Sequence, residues 1–216
     1  MSSVCASTKE GPTRLDRRKA RTRQALIDAA VRLIAEGRGE RASIQEITEE
    51  ADIGFGSFYN HFESKDQLFE TASSEVLERW GRMIDGASAG ITDPAEVFSI
   101  SLRLSACLSW THPEVARFIT GAGLDLLDAP GGLAPRALRD IEAGQAAGQF
   151  TVADPEVALS AVAGGLIGLL RLHQRQPERE ESSVDDLAEA CLRLLGLPAA
   201  KARGLARLPL PATEPW

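Results

Sequence analysis

The segment 55–62 carries small and polar side chains of the kind that read the edges of DNA bases. They are Gly56, Ser57, Asn60 and His61. Hydroxyl, amide and imidazole groups form hydrogen bonds with base edges in the major groove, and glycine permits close approach. Phe58 and Phe62, four residues apart, would hold the segment against a core. Any small helical bundle can show this alternation, so its meaning depends on the surrounding elements.

The elements before this segment are predicted to present it at the surface. Apolar residues at helical spacing predict a first helix over residues 17–36. Ser43 and Glu46 form a capping box that opens a short second helix. Residues 52–54 predict a tight turn, after which residues 55–62 form a third helix. Two short helices joined by a tight turn have the geometry of a helix-turn-helix DNA reader.

Basic residues are concentrated at the start of the chain. Residues 1–23 carry a net charge of +5, whereas the remainder carries −12. A basic arm on an acidic body indicates that one end of the molecule meets a polyanion. A solvated tail is the alternative interpretation. The DNA-reading pattern behind the arm favours phosphate or minor-groove contacts by four arginines: Arg14, Arg17, Arg18 and Arg21.

The string from Ile44 to Phe69 closely resembles the DNA-binding segment of the TetR/AcrR family of bacterial regulators. The strongest part is Gly-Ser-Phe-Tyr-x-His-Phe-x-Ser-Lys-x-x-Leu over residues 56–68. The resemblance is specific over residues 20–70. It implies a homodimer that binds near-palindromic double-stranded operator DNA and represses transcription until a small molecule enters the C-terminal domain.

The resemblance also implies roles for individual residues. Phosphates or base edges would be contacted by Arg18, Arg21, Ser43, Gln45, Phe55, Gly56, Ser57, Tyr59, Asn60, His61 and Lys65. Tyr59, His61 and Lys65 would meet phosphates, and Phe55 could contact a thymine methyl group or tuck against the protein. Two residues depart from the family pattern. Gly54 replaces the usual hydroxyl cap, and Asp52 replaces the usual turn glycine while still tolerating left-handed backbone.

The rest of the chain predicts further helices and shows no strand signal. Three helix starts are marked by the Asp-Pro pairs at residues 93 and 154 and by a cap at Ser183. These helices are predicted to run to about Thr111, Arg175 and Leu195. Other helices are predicted from Thr111 to Asp128 and over residues 135–147. We therefore expect an all-α fold with four regions. They are a disordered arm (1–16), a helix-turn-helix domain (17–63), a ligand-binding and dimerisation domain (64–207) and a disordered tail (208–216).

Two late helices are predicted to form a dimer interface. The helix around residues 157–172 is apolar nearly all round and rich in small residues, so one side would face the core and another a partner subunit. The expected interface residues are Ala161, Gly164, Gly165, Gly168, Leu187, Cys191 and Leu194. A monomeric core is the alternative.

A cavity for a small apolar effector is expected among the helices of residues 94–150. Its candidate wall consists of Phe98, Leu102, Cys107, Trp110, Phe118 and Leu126, each of which could instead be plain core. The helix from Lys65 to about Asp85 would act as a lever that links this cavity to the DNA. An effector beside Trp80 is expected to shift it.

Several function classes are disfavoured by what the sequence lacks. It has no CxxC, no nucleophile elbow, no phosphate loop and no HExxH, so we expect no metal, no cofactor and no enzyme activity. An apolar leader is absent, and the stretch Val157–Leu172 is too short to span a membrane. A cytoplasmic protein is expected. The alternatives left open are an activator, a nonspecific DNA-binding protein and, more remotely, a small-molecule-binding enzyme.

Overall fold

The structure is a computed structural model that describes residues 13–36, 38–128, 131–179 and 182–213. Helix α1 (Arg14–Ala35) begins at a capping box between Thr13 and Asp16. After a 3-10 turn (Gly39–Arg41), helix α2 (Ile44–Glu50) begins at the capping box of Ser43 and Glu46. A 3-10 helix, Phe55–Asn60, follows. These elements form the N-terminal unit that the sequence predicted, with a 3-10 helix as its third member.

Helix α3 (Lys65–Ala87) leads into the larger C-terminal unit, and Ser64 caps it as expected. The remaining helices are α4 (Pro94–Thr111), α5 (Pro113–Ala122), α6 (Leu133–Ala146), α7 (Pro155–Arg175), α8 (Ser182–Leu194) and α9 (Ala199–Ala206). The described residues contain no strand. The all-α prediction is therefore confirmed.

One helical boundary and one additional helix differ from expectation. The predicted helix to Asp128 ends at Ala122, because Gly123 takes a positive φ of 65° and a 3-10 segment, Gly123–Leu127, follows. Helix α9 was not predicted at all. It packs on α4 and α8, and its Leu205 carbonyl accepts a hydrogen bond from Ser99 at 3.2 Å.

Both termini are more ordered than expected where the structure describes them. The predicted disordered arm (1–16) reaches into the capped first turn of α1, while residues 1–12 lie outside the described residues. In the predicted disordered tail (208–216), the Leu208 carbonyl accepts a 2.6 Å hydrogen bond from Arg103. Leu210 packs against the core, and residues 214–216 lie outside the described range. Buried Arg103 therefore binds the start of this segment at Leu208.

Separate apolar clusters underlie the two units, and two helices connect them. The N-terminal cluster includes Leu26, Ile47 and Phe58. Helix α3 contributes Leu68 to that cluster and Leu77 to a cluster of the C-terminal unit. Its 23 residues span roughly 35 Å. Helix α1 also packs against α5, so the N-terminal unit contacts the C-terminal unit directly.

Helix α7 is long and apolar enough to cross a membrane by length and composition alone. Its mean hydropathy over an 18-residue window is 1.4, and 22% of that window is buried. Glu156, Arg171 and Arg175 lie on the same helix, and its buried face packs against α4, α6 and α8. The exposed side of α7 carries Val157, Ala161, Gly164 and Gly168.

Candidate nucleic-acid interface and effector cavity

The turn before the 3-10 helix at residues 55–60 has the backbone that the sequence indicated. Asp52 has a φ of 53°, the one positive value among described residues other than glycine. Gly54 occupies the N-cap position and supplies no side-chain cap. Phe58 and Phe62 are buried, with ring centroids 6.1 Å apart, and anchor the segment to the N-terminal core. The opposite side of the segment is left exposed.

That exposed side carries most of the predicted DNA-contacting residues. Phe55 and Tyr59 are 53% and 58% exposed, high values for aromatic side chains, and their rings meet edge to face at 6.2 Å. Gly56 and Asn60 are also exposed. Half-buried positions are taken by Ser57, His61 and Lys65. Aromatic, amide and hydroxyl groups thus share one accessible surface.

Helix α2 adds side chains beside this surface. The Ser43 hydroxyl accepts from the Glu46 amide at 3.2 Å and donates to the Glu46 carboxylate at 3.0 Å, so its hydrogen bonds serve the cap. Exposed Gln45 donates from Nε2 to Glu49 at 2.9 Å. A shallow groove between α2 and the 3-10 helix is lined by Gln45, Thr48, Glu49, Ile53 and Phe55.

Basic residues of α1 lie beside the 3-10 helix. Arg18 and Arg21 are exposed on this helix. Partial burial lowers the pKa of His61, and the nearby charges of Lys19 and Arg23 lower it further. The Arg23 guanidinium also lies 5.2 Å from the centroid of the Phe62 ring. Positive charge therefore surrounds a neutral imidazole at the edge of the 3-10 helix.

The C-terminal unit contains a small apolar cavity of about 80 Å³ that is partly open to solvent. It is lined by aliphatic residues and one glycine, which come from α3, α5, α6, α7 and the 3-10 segment. Leu77 is the contribution of α3, and Leu126 is the one predicted wall residue that lines it. A second, larger cleft of about 1240 Å³ lies open between the two units and has many charged and polar residues in its walls.

The six predicted wall residues do not surround one cavity. Phe98 and Leu102 are buried in the cluster around α4, α6 and α8, whereas Phe118 belongs to the cluster around α3 and α5. Cys107 and Trp110 pack on a third cluster, where the Trp110 ring lies 4.4 Å from His173. Trp80 is also core: it is 2% exposed and donates from Nε1 to Ser105.

An ionic cluster joins α3 to α6 beside the cavity. Arg136 donates to both Glu78 oxygens at 3.0 and 2.9 Å and to Asp85 at 2.8 Å. Its guanidinium packs over Gly81, where a Cβ atom would lie 2.6 Å from a guanidinium nitrogen. These hydrogen bonds lower the pKa of Glu78 to about 2.

The predicted dimer residues divide into two groups. Ala161, Gly164, Gly168 and Leu194 are exposed, and a Cβ atom on either glycine would meet nothing within 4 Å. Gly165, Leu187 and Cys191 instead form the contact between α7 and α8 within one protomer, since a Cβ on Gly165 would lie 3.2 Å from Leu187. Burial raises the pKa of the Cys191 thiol to about 11.

Sequence reasoning missed Glu49, Leu77 and Arg136. The spacing of Gln45 and Glu49, four residues apart on α2, could have indicated their hydrogen bond. No local signal could have paired Arg136 with Glu78, because the contact depends on how α3 and α6 pack. Among the described residues, no group of three potential ligands could hold a metal ion.

Comparison with known proteins gives two family matches in this chain. Residues 26–72 match the family described as bacterial regulatory proteins, tetR family. Residues 93–208 match the family described as tetracyclin repressor-like, C-terminal domain. Together they cover both units of the fold.

Individual relatives agree with these matches. The HTH-type nicotine-responsive transcriptional repressor HdnoR of Paenarthrobacter nicotinovorans is 37% identical over 71 residues, which is 33% of this chain and 37% of that repressor. The match thus spans little more than a third of the relative's length. The crystal structure of RolR in complex with resorcinol is 34% identical, with a TM-score of 0.71 over 92% of this chain and 99% of RolR. RolR without ligand is 35% identical, with a TM-score of 0.73 over 89% of this chain and all of that one.

Proposed function

Because the chain belongs to the tetR family of bacterial regulatory proteins, we propose that it is a cytoplasmic transcriptional repressor that binds operator DNA as a dimer and dissociates when a small apolar effector binds. The family and its relatives are transcriptional regulators rather than enzymes. The observation that carries the proposal is the exposed face of the 3-10 helix. Its anchors Phe58 and Phe62 are buried, while Phe55, Tyr59 and Asn60 project outward.

This face has the composition that major-groove recognition requires. Asn60 and Ser57 can form hydrogen bonds with base edges, and Phe55 can contact a thymine methyl group. Tyr59 is exposed on this face, Lys65 opens the next helix, and Arg18 and Arg21 are exposed on α1, so all four can contact phosphates. Phosphate contacts fix the orientation of the protein, and base contacts select the sequence.

Two copies would be needed to read a near-palindromic operator. Recognition elements in a dimer must lie about 34–36 Å apart to enter successive major grooves. The exposed faces of α7 and α8, with Gly164, Gly168 and Leu194, offer a self-complementary contact. Small residues on α7 allow two copies of the helix to approach closely.

The apolar cavity is the proposed effector site. Its lining is wholly apolar, which favours an uncharged ligand. Its volume of about 80 Å³ is well below the roughly 300–1,000 Å³ of typical ligand pockets, so a bound effector must push the lining helices apart. RolR was crystallised with resorcinol, so resorcinol and other small phenols are the first compounds to test.

Helix α3 would transmit that displacement to the DNA. Leu77 lies near the middle of the helix and lines the cavity. Lys65 is the first residue of the helix and lies beside the recognition face. A shift at Leu77 would change the spacing of the two recognition elements. The expected coupling lowers operator affinity by roughly 5- to 150-fold when effector is bound. We therefore expect the effector to contact Leu77 rather than Trp80, because Trp80 does not line the cavity.

The test is selection of DNA from a random pool by the purified protein, followed by sequencing. We expect the protein to enrich a near-palindromic sequence and to dissociate from that DNA when a small phenol is added. Tyr59→Ala and Lys65→Ala should weaken binding to all sequences and reduce the slope of affinity against salt by up to about one unit for each lost phosphate contact. Asn60→Ala and Ser57→Ala should instead change the preferred bases. A protein that enriches no sequence would contradict the proposal.

A further inference from the structure

Helix α2 carries three glutamates, Glu46 in its first turn and Glu49 and Glu50 at its end, and they differ in their partners. Glu46 completes the capping box and pairs with Arg38 at 3.3 Å, and Glu50 pairs with Arg32 at 2.7 Å. Glu49 is exposed and forms no ion pair with any residue that the structure describes. Within the described part of the chain, the one hydrogen bond to its carboxylate comes from Gln45. Glu49 is thus the carboxylate of α2 whose charge is not balanced by arginine.

The location of Glu49 makes this charge costly for DNA binding in general. It shares a groove with Gln45 and with Phe55, the first residue of the recognition segment. A carboxylate there lies beside the proposed DNA-binding face, where phosphates would repel it. A negative charge at such a position lowers affinity for every sequence unless it meets a donor on the DNA.

The hydrogen bond between Gln45 and Glu49 fixes which groups the pair presents. An ionised carboxylate can only accept, so the Gln45 amide must turn its NH₂ group toward Glu49. The Gln45 oxygen is then directed away, and the second Glu49 oxygen remains available. The pair therefore offers mainly acceptors to a base edge. In the major groove cytosine presents an amino donor without an acceptor, adenine presents an amino donor beside the N7 acceptor, and guanine presents two acceptors.

We propose that Glu49 is a specificity-determining residue of this DNA reader: with Gln45 it selects a cytosine at one position of each operator half-site and rejects guanine there. This inference rests on the proposed function. Cytosine's amino group would satisfy the carboxylate, while guanine's O6 and N7 would oppose it. The negative charge of Glu49 weakens binding to other DNA sequences and thus increases discrimination between sequences.

The experiment compares wild type with Glu49→Gln and the matched control Glu50→Gln by selection from a random DNA pool. Both substitutions remove one negative charge from α2, but Glu50 pairs with Arg32 and does not line the groove, so Glu50→Gln tests the effect of a charge change outside the groove. Glu49→Gln alone should lower the preference for cytosine over guanine at one half-site position, by at least about fivefold. Thermal melting of both variants checks that the fold is intact.

The outcomes separate this inference from the proposed function. A wild-type protein that enriches no sequence overturns both. A wild-type protein that enriches an operator, while Glu49→Gln selects the same bases with the same preference, overturns the role of Glu49 and leaves the repressor function in place. Equal gains in nonspecific affinity for the two variants, with unchanged base preference, would show that Glu49 is an ordinary surface charge.

Discussion

His61 is the histidine closest to the proposed DNA contacts. It is half-buried, and its desolvation lowers its pKa below the usual 6.5, with a further contribution from the charges of Lys19 and Arg23. The imidazole is therefore neutral at pH 7 in the free protein. A phosphate beside it would favour the protonated form and raise the pKa in the complex.

We therefore predict that operator binding takes up a proton at His61. A pKa that is higher in the complex than in the free protein makes affinity rise as pH falls, between those two values, by up to about tenfold for each unit of difference. The measurement is operator affinity from pH 8 to pH 5.5 at constant salt. His61→Gln should flatten the curve, and an identical curve in that variant would assign the pH dependence to other groups.

Residues whose roles depend on nearby sequence could be predicted. Ser43, Ser64 and Asp52 act within a few positions of themselves, and each does in the structure what its side chain favours. Glu49 was overlooked because its importance depends on the groove that α2 forms with Phe55. That groove is a tertiary feature, and the sequence shows only an acidic residue on a polar face.

Helices α3 and α6 form the element pair that flanks the effector cavity. Gly132 at the start of α6 packs against Leu77, where a Cβ atom would clash, and four residues later Arg136 binds Glu78 and Asp85. The Arg136 side chain is 20% exposed, so solvent screens this cluster less than an ordinary surface ion pair. The cluster thus fixes α6 to the helix that leads to the DNA.

Arg136→Gln should lower the free energy of unfolding at pH 7 by about 2 kcal/mol, because several charge-assisted hydrogen bonds are lost. The matched control is Arg82→Gln. Arg82 contacts the same Glu78 at 3.5 Å from an exposed position on the same helix, so its loss should cost less than about 0.5 kcal/mol. Urea denaturation of the three proteins measures the difference. Equal losses for both variants would contradict the role given to Arg136.

The same cluster has a defined pH dependence. The pKa of Glu78 is about 2 when folded and near 4.5 when unfolded. Because the folded value is depressed, its stabilisation is present above pH 4.5 and is lost as pH falls toward 2. The difference between wild type and Arg136→Gln should therefore shrink over that range.

The packing of these helices explains why the cavity could not be located from sequence. Phe98, Leu102 and Phe118 have the apolar character of a cavity wall, but they are core residues in two separate clusters. The apolar composition of a helix face indicates that the face is buried, but it does not specify which helices pack against it. Helix starts marked by Asp93 and Asp154 were found because capping is local, whereas α9 begins after Pro198 without a side-chain cap.

At the scale of the whole molecule, the exposed face of α7 is the feature that a single protomer leaves unsatisfied. Val157 is 66% exposed and Leu194 on α8 is 48% exposed. Gly164 and Gly168 on α7 are also exposed, and a Cβ atom on either would meet nothing within 4 Å. Apolar side chains beside bare helix backbone favour close packing against a second copy.

Gly168→Arg should convert the protein to a monomer without unfolding it. Arginine favours helix over glycine by about 1 kcal/mol, and nothing within 4 Å obstructs its Cβ, so the protomer tolerates the change. In a two-fold interface the charge is repeated on both subunits and becomes buried, which prevents association. Leu194→Asp should act in the same way. Sedimentation at micromolar concentration measures the change.

The matched control is Gly204→Arg, the same substitution at an open glycine of helix α9. Gly204 is exposed, and helix α9 contributes no residue to the proposed interface on α7 and α8. This variant should remain dimeric and bind the operator normally. The Gly168→Arg monomer should lose operator affinity by about 100-fold or more, because the two half-sites are no longer bound by linked recognition elements. A Gly168→Arg protein that stays dimeric would place the interface elsewhere, and a dissociated Gly204→Arg protein would show that added charge alone separates the subunits.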